Sequence, residues 1–151
     1  MPQIPLHYVD LRTFCYATED EKRVEEALRT FLPDRDDEDD PFEIERVESE
    51  GHYGDRILVL SARVENADDV RHVLSRLADL ESFENLIDEL DERVTENTEL
   101  FLRLDKQAAF QGEVRLGDGI TFRGKVEAYP AKKAQAVENA REVLERLRDR
   151  D

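Results

Sequence analysis

The chain has 151 residues, and its 38 Asp and Glu exceed its 22 Lys and Arg to give a formal net charge of −16. This length is sufficient for one domain with a buried core, and we predict a single α+β domain over residues 1–151. Although 40% of the residues are charged, apolar positions recur at helical and strand spacing almost throughout, which argues against disorder for most of the chain.

The single cysteine, Cys15, cannot form a disulfide within the chain and fits a reducing cytoplasm. The N-terminus, MPQIPLHYVD, has neither a basic start nor a long apolar run, and no apolar stretch approaches the length of a membrane span. We therefore expect a cytoplasmic protein with no signal peptide and no membrane partner.

The acidic residues are spread evenly over a patterned core, which resembles the surface of a protein from a salt-loving archaeon. Dense carboxylates keep such a surface hydrated. The alternative is an acidic surface that binds a basic partner. We favour the first interpretation because net charge bears first on solubility.

Residues 6–16, LHYVDLRTFCY, alternate as a strand with two different faces. One face holds His7, Val9, Leu11, Thr13 and Cys15, and the other holds Tyr8, Asp10, Arg12, Phe14 and Tyr16. On an open sheet, the second face could stack bases on its aromatic rings. We expect instead that helices cover this face and that the aromatic rings join the core, since the helices of an α+β domain must pack against a sheet.

The next segment predicts a helix. Thr18 to Glu21 form a capping box at its start, and Pro33 ends it. Its apolar stripe comprises Val24, Ala27, Leu28 and Phe31. Residues 34–40, DRDDEDD, predict an acidic solvated loop, because they lack the glycine turn and ligand spacing of a calcium loop.

The middle of the chain predicts two strands and two helices. A strand around Phe42 to Val47 and a strand over residues 56–64 flank a glycine-bracketed turn. The second of these strands is apolar on both faces, which predicts a central position in the sheet. Asn66 and Ser82 are the predicted N-caps of the two helices.

The last third predicts a strand around residues 100–104, a short helix capped by Asp105, a hairpin around Gly117–Gly119 and a final helix after Pro130. Arg123 and Lys125 lie on the outward face of the second hairpin arm. The order of elements predicts an antiparallel or mixed sheet of about five strands with helices packed mainly on one face.

Residues 101–133 are the least acidic segment. They hold seven Lys and Arg against four Asp and Glu, and four of the five lysines of the chain. Such a concentration of cations in an acidic protein predicts a surface for an anionic partner.

The sequence contains no recognised catalytic or metal-binding motif. No two of His7, His52 and His72 have metal-ligand spacing, and one cysteine cannot complete a zinc site. The sequence has no phosphate-binding glycine loop and no nucleophile elbow. Cys15 lies in an apolar run and is interpreted as a buried hydrophobe and not as a nucleophile. We therefore expect a binding protein with no catalytic residues, no metal and no cofactor.

Three stretches resemble an archaeal family of predicted RNA-binding proteins described as exosome-associated: residues 7–28, 50–60 and 100–130. The chain looks like a haloarchaeal member, with acidic residues filling a short connection at 34–40. The family fold is similar to that of the ribosomal protein that binds 5S RNA. The resemblance implies RNA binding or association with RNA-processing proteins, without any evident DNA specificity.

If RNA binds, we predict contacts to phosphate and sugar by residues chosen for charge and position: Arg103, Lys106, Gln107, Arg123, Lys125, Lys132 and Lys133. Arg12 and His52 are weaker candidates. In a salt-rich solution these contacts would be weak, because the affinity for single strands falls with salt in proportion to the number of phosphate contacts. Stacking would then be needed. The alternative function is a protein–protein adaptor or homodimer of the same fold with no direct RNA contact, and a small-molecule or metal-binding role ranks below both.

Overall fold

The computed structural model of the protein describes residues 6–32, 44–50, 54 and 56–149. The acidic loop at 34–40 and His52 lie outside the described residues. The elements in chain order are β1 (Leu6–Tyr16), α1 (Glu21–Arg29), β2 (Glu45–Glu50), β3 (Arg56–Val64), α2 (Ala67–Leu77), α3 (Phe83–Asp88), α4 (Leu90–Arg93), β4 (Glu99–Asp105), α5 (Lys106–Ala109), β5 (Gly119–Val126) and α6 (Lys133–Arg148).

The five strands form one antiparallel sheet in the order β2-β3-β1-β5-β4. β1 is the central strand: Leu11 faces Ala62 of β3 on one side and Phe122 of β5 on the other. The predicted α+β class and the antiparallel sheet of about five strands are confirmed. The extent of the domain over residues 1–151 stays a prediction.

The helices pack on one face of the sheet and enclose the core there. Alternate residues of β1 are buried on this face, from Val9 to Cys15, and the residues that face them on β3 and β5 are buried with them. The apolar stripes of the helices complete the same cluster, and Phe31 and Leu28 of the α1 region are fully buried in it. Burial of this apolar surface is the main stabilising term for the fold.

The opposite face of the sheet is uncovered, so our prediction that helices cover the Tyr8–Tyr16 face of β1 is wrong. Phe14 is 38% exposed and Tyr16 is 51% exposed. The physical reason lies in the neighbouring strands. Asp10 faces Arg63 of β3 and Arg123 of β5, and a second helix layer on that side would have to bury these charges at a high cost.

Two local predictions also need correction. The N-cap of α1 is Asp20, whose side chain accepts a hydrogen bond from the Lys22 amide, and the helix begins at Glu21. The residues before Gly117 do not form a hairpin arm with β5, because β5 pairs with β1 on one side and with β4 on the other. Leu116 instead makes one isolated bridge to Leu104 of β4.

The strand over residues 56–64 has the predicted bounds, but it is next to the edge strand β2 and is not the central strand. Its apolar residues on the second face, Ile57 and Val59, lie half-buried on the uncovered side. The presence of apolar residues on both faces of a strand therefore does not by itself indicate that both faces are covered.

Candidate nucleic-acid interface

The outward side chains of the five strands form one uncovered surface, which we name the open face. It consists of Tyr8, Asp10, Arg12, Phe14 and Tyr16 of β1, Glu45, Val47 and Ser49 of β2, Ile57, Val59, Ser61 and Arg63 of β3, Glu99, Phe101 and Arg103 of β4, and Thr121, Arg123 and Lys125 of β5. None of these side chains is fully buried. Because strand residues alternate between the two faces, the register of the sheet brings them together.

Five cations lie on the described part of the open face, and the sheet register places them in three cross-strand rows. In one row, Arg12 faces Ser61 and Thr121, and Thr121 in turn faces Arg103. The other cations are Arg63, Arg123 and Lys125. In a protein of net charge −16, this is a local concentration of positive charge.

Four of the five cations already have an acceptor. Arg63 forms a two-bonded ion pair with Asp10, and this hydrogen bonding raises the pKa of the Arg63 guanidinium. The other three pairs involve the ends of β4 and the adjacent loops. They are Arg123 with Glu99 at 3.5 Å, Arg103 with Asp118 at 3.6 Å, and the Lys125 amine with the Asn97 carbonyl.

Arg12 differs from the other open-face cations. Within the described ranges of the chain it has no carboxylate or carbonyl acceptor, and its guanidinium carbon lies 5.7 Å from the centroid of the Phe14 ring. It projects from the central strand and is exposed. Arg12 is therefore the open-face cation that is available to an incoming anion.

Aromatic rings accompany the cations. The guanidinium of Arg63 lies 4.1 Å from the Tyr8 ring centroid, and that of Arg123 lies 5.8 Å from the Phe101 ring centroid. Such contacts hold planar cations over ring faces. A depression of about 380 Å³ lies among these groups on the open face. Its polar lining consists of Arg12, Ser61, Arg63, Thr121 and Arg123 together with the carboxylate residues Asp10 and Glu45.

One end of the open face is apolar. Phe14 faces Val59 of β3, and Val59 faces Val47 of the edge strand β2. Phe14, Tyr16 and Val47 are among the exposed large hydrophobic residues of the protein, with Val47 51% exposed. We name Phe14, Tyr16, Val47, Ile57 and Val59 the apolar row. It lies beside Arg12, so the open face combines a cation with flat apolar surfaces.

The structure divides the predicted site residues. Arg103, Arg123 and Lys125 lie on the open face. Gln107 is exposed on α5, while Lys132 and Lys133 are at the start of α6, whose apolar stripe packs in the helix layer. The cationic segment 101–133 is therefore not one surface.

Lys106 is not available as a surface contact. It is 7% exposed, and its amine donates hydrogen bonds to the Phe14 carbonyl at 2.6 Å and to the Glu19 carboxylate at 2.8 Å. This lysine ties α5 to the end of β1. Lys106 is therefore not part of the candidate interface. Arg12, a weaker candidate from the sequence, lies at the centre of that interface.

Sequence reasoning missed Arg63 and Phe101 as members of the site, and it assigned Tyr8 to the core. Arg63 lies near the end of the strongly apolar strand β3, and its relation to Asp10 depends on a register between residues 53 positions apart. The available signal was the alternation of Arg63 with Ala62 and Val64, which predicts that its side chain points away from the core.

Among the described residues, no group of three or more His, Cys, Asp and Glu side chains is placed to hold a metal ion. In the same part of the chain, no helix has the length and apolar character needed to cross a membrane. Cys15 is a free, buried thiol, and burial together with Glu19 raises its pKa.

Comparisons with known proteins show which family this chain resembles over most of its length. A family model described as RNA binding matches residues 8–126. The RNA-binding protein PAB1135 from Pyrococcus abyssi is 38% identical over 149 residues, which cover 95% of this chain and 96% of that protein.

Solved structures share the fold. A DUF54 protein from Methanothermobacter thermautotrophicus is 42% identical, with a TM-score of 0.75 over 92% of this chain and 98% of that one. A DUF54 crystal structure from Archaeoglobus fulgidus is 31% identical, with a TM-score of 0.79 over 91% of this chain and 99% of that one. The chain therefore belongs to the archaeal protein family whose model is described as RNA binding.

Proposed function

We propose that this protein binds RNA through its open face and does so without catalysing a reaction. The observation that carries the proposal is the open face itself: five cations and four aromatic rings on an uncovered sheet in a protein of net charge −16. Aromatic and basic side chains on an open sheet are a recurrent means of holding RNA bases and phosphates.

The contacts support a ligand that is anionic and flat. Arg12 offers a guanidinium with no acidic partner among the described residues, and such a group binds phosphate oxygens in a two-bonded geometry. Tyr8, Phe14 and Phe101 each lie beside an arginine, so the open face presents aromatic rings next to guanidinium groups. The family match and the RNA-binding relative from Pyrococcus favour RNA among anionic ligands.

Finer parts of the proposal rest on the sequence resemblance. They are association with the exosome or another RNA-processing assembly, a fold related to that of the ribosomal protein that binds 5S RNA, and a salt-rich cytoplasmic setting. The acidic composition supports the last of these, since dense carboxylates keep a protein hydrated at high salt.

The alternative function is a protein–protein adaptor or homodimer. The apolar row favours it, because exposed large hydrophobic side chains that lie together often mark a protein interface. In that case the row would contact a protein, and the neighbouring cations would set the orientation of the partner.

A matched pair of double variants tests the proposal. Arg12→Glu/Arg103→Glu reverses two exposed charges on either side of Thr121 on the open face. Lys132→Glu/Lys133→Glu makes the same change in net charge at the start of α6. Binding of fluorescent single-stranded and structured RNAs is measured across a KCl series, after circular dichroism has shown that each variant is folded.

We expect the open-face variant to lose at least about tenfold in affinity and the α6 variant to change much less. Equal losses would indicate a general charge effect and contradict the assignment to the open face. No binding of any RNA by the wild type, even at low salt, would overturn the proposed function, and a sedimentation measurement would then test for a homodimer.

A further inference from the structure

We infer that the RNA recognised by the open face is an unpaired segment, held chiefly by stacking of its bases on the apolar row and adjoining rings, with Arg12 supplying the main phosphate contact. This inference rests on the proposed function and specifies its substrate class. It follows from the state of the cations, from the geometry of the exposed rings and from the position of the carboxylates.

The cations limit the number of phosphate contacts. Arg63, Arg123 and Arg103 are paired with Asp10, Glu99 and Asp118. A phosphate that binds one of these arginines must compete with a carboxylate that is already paired with it. The gain from such a contact is small, since one anionic acceptor offsets or replaces another. Among the described residues, Arg12 has no such competing carboxylate.

A double helix does not match this surface. Proteins recognise double-stranded RNA mostly by its shape, through phosphates and 2′-hydroxyl groups, because the bases are stacked inside and the major groove is narrow. That mode needs several cations spread over a broad area. On the described open face the one cation without an acceptor is Arg12. A duplex would therefore find few favourable contacts and several carboxylates.

Unpaired bases match it better. Phe14 and Tyr16 lie on the same side of β1, about 6.8 Å apart along the strand, and both are exposed. Val59 and Val47 extend the apolar surface from Phe14 to the edge of the sheet. A base is neutral and flat, so it can cover these groups without the repulsion that a phosphate meets from a nearby carboxylate. Stacking of this kind tolerates any base sequence.

The position of Arg12 links the two contacts. Its guanidinium lies 5.7 Å from the centroid of the Phe14 ring. A nucleotide whose base covers Phe14 would bring its phosphate within reach of this side chain. One residue pair can therefore hold both the base and the backbone of the same nucleotide, which explains why the other arginines can remain paired with carboxylates.

The experiment compares three ligands of equal length: a single-stranded RNA, the same strand in a blunt duplex, and a strand with abasic sugars in place of the bases. The abasic strand keeps every phosphate. We expect tight binding of the first ligand only. Across the KCl series, we expect log K to fall by about 0.7 per tenfold rise in salt, as for one phosphate contact, and not by about 3.5, as for five.

Phe14→Leu and Tyr16→Leu test the rings, because leucine keeps the apolar character and removes the aromatic plane. We expect each to weaken binding of the single strand about fivefold or more. The matched control is Phe110→Leu, since the Phe110 ring centroid lies 5.3 Å from the guanidinium of Arg23 in the helix layer, in an arrangement similar to that of Phe14 and Arg12.

The outcomes separate the inference from the proposed function. Equal binding of the duplex or the abasic strand, a salt slope near that for five contacts, or full affinity in both leucine variants would overturn stacking while leaving RNA binding intact. Failure of all three ligands to bind would overturn both. If the leucine variants instead convert a dimer to a monomer and leave RNA affinity unchanged, the apolar row is a contact between copies and the inference falls.

Discussion

Arg63 of β3 donates two hydrogen bonds to Asp10 of β1, one to each carboxylate oxygen, and both are 2.8 Å long. The same guanidinium lies 4.1 Å from the ring centroid of Tyr8. This geometry is the one in which arginine binds phosphate. Asp10 therefore occupies the place that a phosphate would take on Arg63, and its carboxylate would compete with an RNA phosphate for that arginine.

Replacement of Asp10 with Asn should raise the affinity for RNA, because Arg63 loses its anionic acceptor and the open face gains one unit of positive charge. We expect an increase of about two- to fivefold at moderate salt, the range set by an exposed ion pair. The stability of the fold should fall by less than about 1 kcal/mol, since the Arg63 side chain is 52% exposed and solvent screens the pair. RNA titrations and urea unfolding measure the two effects.

Glu142→Gln provides the control for Asp10→Asn. It makes the same change in net charge and breaks the exposed pair with Arg146 on α6, away from the open face. Its RNA affinity should change less than that of the Asp10 variant. An equal gain in both variants would show that net charge controls affinity and that Arg63 has no special role.

Much of the fold could be predicted because its signals are local. The bounds of β1 follow from alternation over 11 residues, and those of β3 follow from a mostly apolar run of 9 residues. Asn66 caps α2 by accepting a hydrogen bond from the Asp68 amide. The start of α1 was predicted less well. Thr18 and Asp20 are both good N-caps, and Asp20 is the cap in the structure. Glu19, which a cap at Thr18 would place in the first turn of the helix, accepts hydrogen bonds from Lys106 and from the Tyr16 amide.

The site was harder to predict because it depends on register. Nothing local distinguishes a cation that pairs with a distant carboxylate from one that remains free. Among the described residues Arg12 has no acidic partner, because its cross-strand neighbours are Ser61 and Thr121, whereas Asp10, two residues away, faces two arginines. The burial of Lys106 has the same origin, since its partners lie 92 and 87 residues away in the chain.

Lys106→Met should destabilise the protein and should not selectively weaken RNA binding. The substitution removes the donor to the Phe14 carbonyl and to Glu19 in a partly buried setting. An unsatisfied group of this kind costs about 1–3 kcal/mol. Urea unfolding gives the loss in free energy, and RNA titration under conditions where the variant is fully folded gives the affinity.

Lys125→Met is the comparison for Lys106→Met. The Lys125 amine donates to the Asn97 carbonyl at an exposed position of the open face. It should cost less stability than Lys106→Met and more RNA affinity. The reverse order in either measurement would contradict the roles that we assign to the two lysines.

Gly119→Ala should be strongly destabilising. Gly119 has φ +118°, and a Cβ atom there would lie 2.4 Å from the Cβ of Lys106. Gly112→Ala is the matched control, because Gly112 also has a positive φ, of +76°, but a Cβ atom there would meet nothing within 4 Å. We expect the Gly112 variant to lose about 1–2 kcal/mol from backbone strain and the Gly119 variant to lose clearly more. Equal losses in urea unfolding would show that the contact with Lys106 is readily relieved.

The stability of the protein should fall in alkaline solution partly because of Cys15. Burial raises the pKa of this thiol above its ordinary value near 9.0, and Glu19 adds to the effect. As the pH rises past that value, the unfolded chain releases the thiol proton before the folded chain does, so the free energy of unfolding decreases. In Cys15→Ala the decrease between pH 8 and pH 10 should be smaller than in the wild type, since the other titrating groups are common to both proteins. Urea unfolding at each pH measures the difference. Parallel curves would show that the thiol titrates alike in the folded and unfolded states, and rapid alkylation of the native thiol by iodoacetamide would show that Cys15 is not shielded by the core.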